Sequence, residues 1–136
     1  MNAKYMRLNP PSLATVQRDR RTMLAQIVTV EGAHKYVFLS GQLARDANGK
    51  CIGTGDMRAQ MIQVYENIIT GLKEAGATPS NVVKSNTYVT NMAEYVKHAD
   101  LREEYFCNPI AASTTVEVKG LISPEFLIEV DVVAMV

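Results

Sequence analysis

The feature that most constrains this chain is one long amphipathic period set between segments of strand character. Met57, Met61, Val64, Ile68, Leu72 and Ala75 recur at steps of four or three and trace a single apolar face. Asp56 stands where a helix N-cap belongs, and Gly76 where a helix ends on a left-handed residue. The spacing predicts a helix over residues 57–75, with Thr78-Pro79-Ser80-Asn81 closing the connection behind it. Such a stripe needs an apolar partner layer, and the flanking segments supply it as strands.

Segments 24–30 and 35–39 read as a hairpin joined by Glu31-Gly32-Ala33-His34. Asp46-Ala47-Asn48-Gly49 is a turn, because Asn-Gly tolerates the positive φ angles that tight turns require. A strand over 82–90 places Val83, Ser85, Thr87 and Val89 on one face and Lys84, Asn86 and Tyr88 on the other. A second helix over 93–106 aligns Tyr95, Ala99 and Phe106, and Asn108-Pro109 breaks it. Strands 113–118 and 126–135 complete a ββαβαββ order. The expected fold is α+β: a two-layer domain over 23–136 with both helices on one face of a mixed sheet. Residues 1–22, with Pro10-Pro11 and scattered charge, read as an irregular N-terminal arm. Ile27, Val37, Leu39, Val116, Ile128, Val130 and Val132 give the strands enough apolar surface to expect self-association on the face without helices.

Charge and cysteine usage exclude several classes. Fourteen basic side chains balance fourteen acidic ones, so no net field draws the chain to nucleic acid. No apolar run reaches membrane-spanning length, and no membrane partner is expected. Cys51 and Cys107 lie far apart and read as free thiols, with the cytoplasm as the expected location. His34 and His98 have no cysteine or carboxylate at ligand spacing, so no metal is expected. No phosphate loop, nucleophile elbow or dinucleotide fingerprint is present, and no cofactor is expected.

Three places carry candidate chemistry. Glu129 and Asp131 are two apart on a strand, so their carboxylates share a side among apolar neighbours. That spacing fits a solvated strand face first and acid–base chemistry second. Ser40-Gly41-Gln42 directly follows a strand, where a glycine allows a ligand or another backbone to approach closely. Ser113, Thr114 and Thr115 are residues of high strand propensity with hydroxyls to offer. Tyr88 and Tyr105 can present a ring or a hydroxyl, although core packing also accounts for both. Cys107, beside Phe106, reads as a buried inert thiol before a reactive one.

Val37-Phe38-Leu39-Ser40-Gly41-Gln42, Gln60 to Gly76, Val82-Val83-Lys84, Ser113-Thr114-Thr115-Val116-Glu117-Val118 and Leu127-Ile128-Glu129-Val130-Asp131 follow one another in a familiar order and spacing. Together they resemble the Rid/YjgF family of enamine and imine deaminases, over nearly the whole chain from residue 24. The resemblance implies a chorismate-mutase-like fold and a homotrimer with a central barrel and clefts between subunits. It implies a small-molecule substrate, with Glu129 as the catalytic residue that orients the attacking water. Ser40 and Gly41 would line the cleft. In the family's best-known branch an arginine precedes the [ST]-x-V-E-V strand and grips the substrate carboxylate; here Ser113 fills that position.

A hydroxyl cannot reproduce the guanidinium fork, so this contact is weaker by about 1–2 kcal/mol, roughly tenfold in affinity. Ser113, Thr114, Thr115 and Tyr88 remain candidate substrate contacts, and Arg45 or Arg102 is the candidate replacement cation. Leu24 and Ala99 stand where the family tends to place hydrogen-bonding side chains, which argues for a rebuilt pocket. The leading expectation is a cofactor-free hydrolase that releases ammonia from a reactive enamine or imine. The alternative is a trimeric small-molecule binder, regulator or chaperone-like protein that has lost the chemistry. RNA cleavage ranks last on the balanced charge and the absence of tryptophan.

Overall fold

A computed structural model describes residues 2–136. The chain runs β1 (Lys4–Leu8), β2 (Gln17–Arg18), β3 (Arg21–Thr22), β4 (Ile27–Glu31), β5 (Tyr36–Gln42) and α1 (Met57–Glu74). A 3-10 turn (Pro79–Asn81) leads into β6 (Val82–Val89), α2 (Met92–Val96), α3 (Ala99–Phe106), β7 (Ala112–Glu117) and β8 (Ile128–Met135). The main sheet has the order β5-β8-β6-β7. Its β5–β8 and β8–β6 pairs are antiparallel, and β6–β7 is parallel. This is the mixed α+β architecture expected from the periodicity.

α1 forms where the apolar period placed it. The Asp56 carboxylate accepts from the Ala59 N–H at 3.0 Å, Lys35 donates to the Ala75 carbonyl at 2.7 Å, and Gly76 takes φ +71°. Met57, Met61, Val64, Ile68 and Leu72 are buried against β5 and β8, where Val37, Ile128, Val130, Val132 and Ala134 complete the core. Gln60 and Tyr65 are buried as well, which the apolar period alone does not show.

Three expectations are corrected. Segments 24–30 and 35–39 do not form a hairpin: β4 pairs antiparallel with β1, and β5 takes its ladder from β8. Accordingly, the arm at 1–22 is not wholly irregular. β1 holds register Lys4↔Glu31 to Leu8↔Ile27, and β2 and β3 pair around Asp19 and Arg20. Side chains fasten this segment to the domain. The Tyr5 hydroxyl donates to the Met135 carbonyl, Arg7 donates to the carbonyls of Ile110 (2.7 Å) and Ser80 (3.1 Å), and Arg18 and Arg21 pair with Glu103. Long-range polar partners of this kind leave no local period. Finally, the helix expected at 93–106 is two helices. Tyr95 and Leu101 are both buried, yet six residues span about one and two-thirds turns and point them to different sides. A break between Val96 and Ala99 lets both face the core. Among the described residues, no helix is long and apolar enough to cross a membrane.

Candidate functional site

The two faces of the main sheet separate the candidate residues. Val130 and Val132 of β8 are buried beneath the helices, so Glu129, Asp131, Val133 and Met135 alternate onto the other, open face. Cross-strand register carries this assignment outward. Tyr88 lies opposite both Glu129 and Val116, and Asn86 opposite both Asp131 and Thr114. Ser85 and Thr87 pair with Ser113 and Thr115, which places those two on the helix side.

Glu129 sits at a bulge. Leu39 pairs with Val132 and Gln42 with Val130, so Ser40 and Gly41 together oppose the single residue Asp131. The extra residue brings the β5 backbone against the Glu129 side chain. A Cβ on Gly41 would stand 2.8 Å from Glu129 Oε1 and 2.9 Å from its Cδ. Glycine at 41 is therefore what leaves room for the carboxylate beside Tyr88. Asp131 has a different environment: its carboxylate accepts from Asn86 Nδ2 at 2.9 Å and ties β8 to β6. Next along the same row, Lys84 Nζ donates to Thr114 Oγ1 at 3.0 Å.

Glu129, Gly41, Ser40 and Tyr88 thus cluster on the open face, with Thr114 one row away. Ser113 and Thr115 do not join them within one chain. Two strand spacings and three residues put the Ser113 and Glu129 backbones on the order of 14 Å apart, on opposite faces. Arg45 shares a cavity wall with Gly41, although Glu129 is not part of that lining. Its guanidinium lies over the Phe126 ring at 5.0 Å, on the wall of a cavity of about 680 Å³ that reaches from Gly41 to Asn67 and Thr70. Arg102 belongs to the helix side, with Ser85 and Thr87. Among the described residues, no group of three or more His, Cys, Asp or Glu side chains comes together.

Two residues escaped the sequence reading. Gln60 is fully buried; its Nε2 donates to the carbonyls of Gly53 (3.1 Å) and Glu125 (2.8 Å), and its Oε1 accepts from Leu127 N–H at 2.8 Å. It fixes the loop that delivers β8, and hence Glu129. A polar residue one position before Met61 on the apolar stripe was the available signal. Tyr65 packs edge-on to Phe106 at 5.1 Å, and its buried hydroxyl has no hydrogen-bond partner among the described residues.

Burial pushes the Tyr65 phenol well above its ordinary 10.0, with nearby Tyr95 adding to the rise without reaching hydrogen-bond geometry. The Tyr105 phenol is pushed up to about 12 chiefly by its 2.7 Å hydrogen bond to the Glu66 carboxylate. Tyr65→Phe removes an orphaned buried polar group, so the unfolding free energy should hold or rise by about 1 kcal/mol in urea titration. The sign at high pH is definite. The unfolded chain ionises this phenol before the folded one, so the tyrosine's contribution is present below pH 10 and is lost as pH climbs toward the folded value. Wild type should therefore lose stability above pH 10 more steeply than Tyr65→Phe. Parallel slopes would refute this.

The family model described as Endoribonuclease L-PSP matches residues 20–136. The chain is 34% identical over 113 residues to the 3-aminoacrylate deaminase RutC of Acinetobacter baylyi, covering 83% of this chain and 89% of the relative. It is 32% identical over 85 residues to a 2-iminobutanoate/2-iminopropanoate deaminase of Dermatophagoides farinae, covering 62% and 66% respectively. A crystal structure of YyfB from Yersinia pestis, a Rid-family protein of unknown function, superposes with a TM-score of 0.78 at 29% identity, covering 97% of this chain and 98% of that one. With a matching family model over most of its length and this shared fold, the chain belongs to the Endoribonuclease L-PSP family, the YjgF/Rid family.

Proposed function

We propose that this protein is a cofactor-free hydrolytic deaminase of small, reactive enamines or imines. The observation that carries the reading is the Glu129 carboxylate held against the Gly41 bulge on the open face, beside Tyr88. Two relatives named for deamination of 3-aminoacrylate and of 2-imino acids support the substrate class. The chemistry asks little of the protein. Water adds across the C=N bond, Glu129 takes the proton that water gives up, and the nitrogen gains protons until ammonia leaves a carbonyl behind. An enamine is first protonated on carbon to reach the same imine.

The open face favours self-association, and the assembly we propose is a homotrimer with clefts between copies. Tyr36 and Phe38 are 58% and 76% exposed there, beside half-buried Val133 and Met135, and a second copy would cover them. Two free thiols agree with a reducing compartment, the cytoplasm. The equal count of basic and acidic side chains disfavours RNA as substrate, whatever the family's description.

The test is hydrolysis of a freshly generated 2-imino acid with semicarbazide as a competing trap. Wild type should suppress semicarbazone formation in proportion to enzyme concentration. If trapping is unchanged at micromolar protein, the deaminase reading fails and the non-catalytic binder stands in its place. Gly41→Ala refines the assignment. The new methyl group displaces the flexible end of Glu129, so turnover should fall about ten- to a hundredfold while the unfolding temperature barely moves. Full activity in Gly41→Ala would show that the position of this carboxylate is irrelevant.

A further inference from the structure

Four of the polar side chains that β6, β7 and β8 turn to the open face pair off. Lys84 Nζ donates to Thr114 Oγ1 at 3.0 Å, and Asn86 Nδ2 donates to Asp131 Oδ1 at 2.9 Å. Two others do not. Tyr88 and Glu129 are register partners across β6 and β8, and both are half-buried. Neither the phenol hydroxyl nor the carboxylate has a hydrogen-bond or ion-pair partner among the described residues, so both are free to meet a ligand.

The two groups are chemically complementary. An ionised carboxylate only accepts, whereas a phenol can donate a proton. Directly opposite residues on one face have Cβ atoms about 5 Å apart, so a small molecule over one is within reach of the other. The Glu129 carboxylate lies against Gly41 of β5, and β8 runs between β5 and β6. A ligand seated over β8 therefore has the carboxylate on one flank and the phenol on the other. Lys84, the other charged donor of β6, stands four residues along the strand, about 13 Å away, and is held by Thr114.

We propose that Tyr88 is the general acid of the reaction, the group that protonates the substrate nitrogen while Glu129 takes the proton from water. This assignment rests on the deaminase reading. As the water oxygen bonds to carbon, the C=N π pair moves to nitrogen and collects the Tyr88 hydroxyl proton, and Glu129 becomes a carboxylic acid. The product of this step is a carbinolamine beside a phenolate. Glu129 then gives its proton to the amino nitrogen, and the phenolate takes the carbinol proton. The C–N bond breaks with its electron pair on departing ammonia, C=O forms, and both side chains return to their starting states.

Tyr88→Phe keeps the ring and removes only the proton donor. In the semicarbazide assay with 2-iminopropanoate, kcat should fall about a hundredfold while KM stays within about threefold and the unfolding temperature is preserved. An imine already protonated in solution does not need the phenol. The ratio of wild-type to Tyr88→Phe rates should therefore climb as pH rises from about 6 to about 9, a trend that a merely structural role would not produce. Lys84→Met, which removes the other donor of β6, should stay within about threefold of wild type. Wild-type turnover matched by Tyr88→Phe, a rate ratio that does not change with pH, or an equal loss in Lys84→Met overturns the role of Tyr88 and leaves the deaminase reading intact. Absence of turnover by wild type itself overturns both.

Discussion

Glu129→Gln should lower imine hydrolysis by about a hundredfold to ten-thousandfold, the range for removing a positioned general base. The substitution keeps the shape of the side chain against Gly41 and keeps a hydrogen-bonding oxygen, but it removes the site that takes the proton from water. Nothing else on the open face substitutes for it at once. Asp131 is nearest along the strand, yet its carboxylate is tied to Asn86 across the sheet. The fold should be unaffected, because Glu129 lies on the half-exposed face and takes no part in the buried core. Semicarbazide trapping and analytical ultracentrifugation of both proteins check the two halves of this expectation. A rate within threefold of wild type would remove Glu129 from the mechanism.

The largest stability effect should come from Gln60→Leu. Leucine fills much the same volume but leaves the Gly53 and Glu125 carbonyls and the Leu127 N–H without the partners they have in Gln60. Each backbone group so orphaned costs about 1–3 kcal/mol where water cannot replace the amide. The sum should destabilise by about 3 kcal/mol or more, a large share of the roughly 5–15 kcal/mol typical of a domain. That corresponds to a fall in Tm of about 10 °C for a chain of this size. The same variant should lose activity below its Tm, since Leu127 leads directly into the strand that carries Glu129. A loss under 1 kcal/mol in chemical denaturation would mean that the loop finds its hydrogen bonds elsewhere.

Much of the architecture was legible in the sequence. The α1 period, its Asp56 cap and its Gly76 terminus are local, and each appears where the spacing placed it. So does the alternation along β6, with Thr87 and Val89 buried and Tyr88 turned to the open face. What escaped was non-local. β1 pairs with β4 in a two-stranded sheet of its own, while β5, the neighbour of β4 in sequence, takes its ladder from β8 at the far end of the chain. The split between α2 and α3 follows from where two buried side chains must point, and no breaker residue announces it. Gln60 reads in sequence as a polar interruption; only the approach of Glu125 and Leu127, 65 and 67 residues away, makes it a staple.

For the candidate site, the sequence by itself determined the chemistry on offer: a carboxylate at 129, glycine at 41, hydroxyls at 113 to 115, and no arginine among them. Those are properties of side chains and of their order. The tertiary structure decided which of them meet. Register at the bulge brings Gly41 to Glu129, while strand alternation sends Ser113 and Thr115 through to the helix side, beside Arg102. A side chain's face depends on a period of two, and one bulged residue resets that period. Chain order records the residues of a site; the sheet assigns each of them a side.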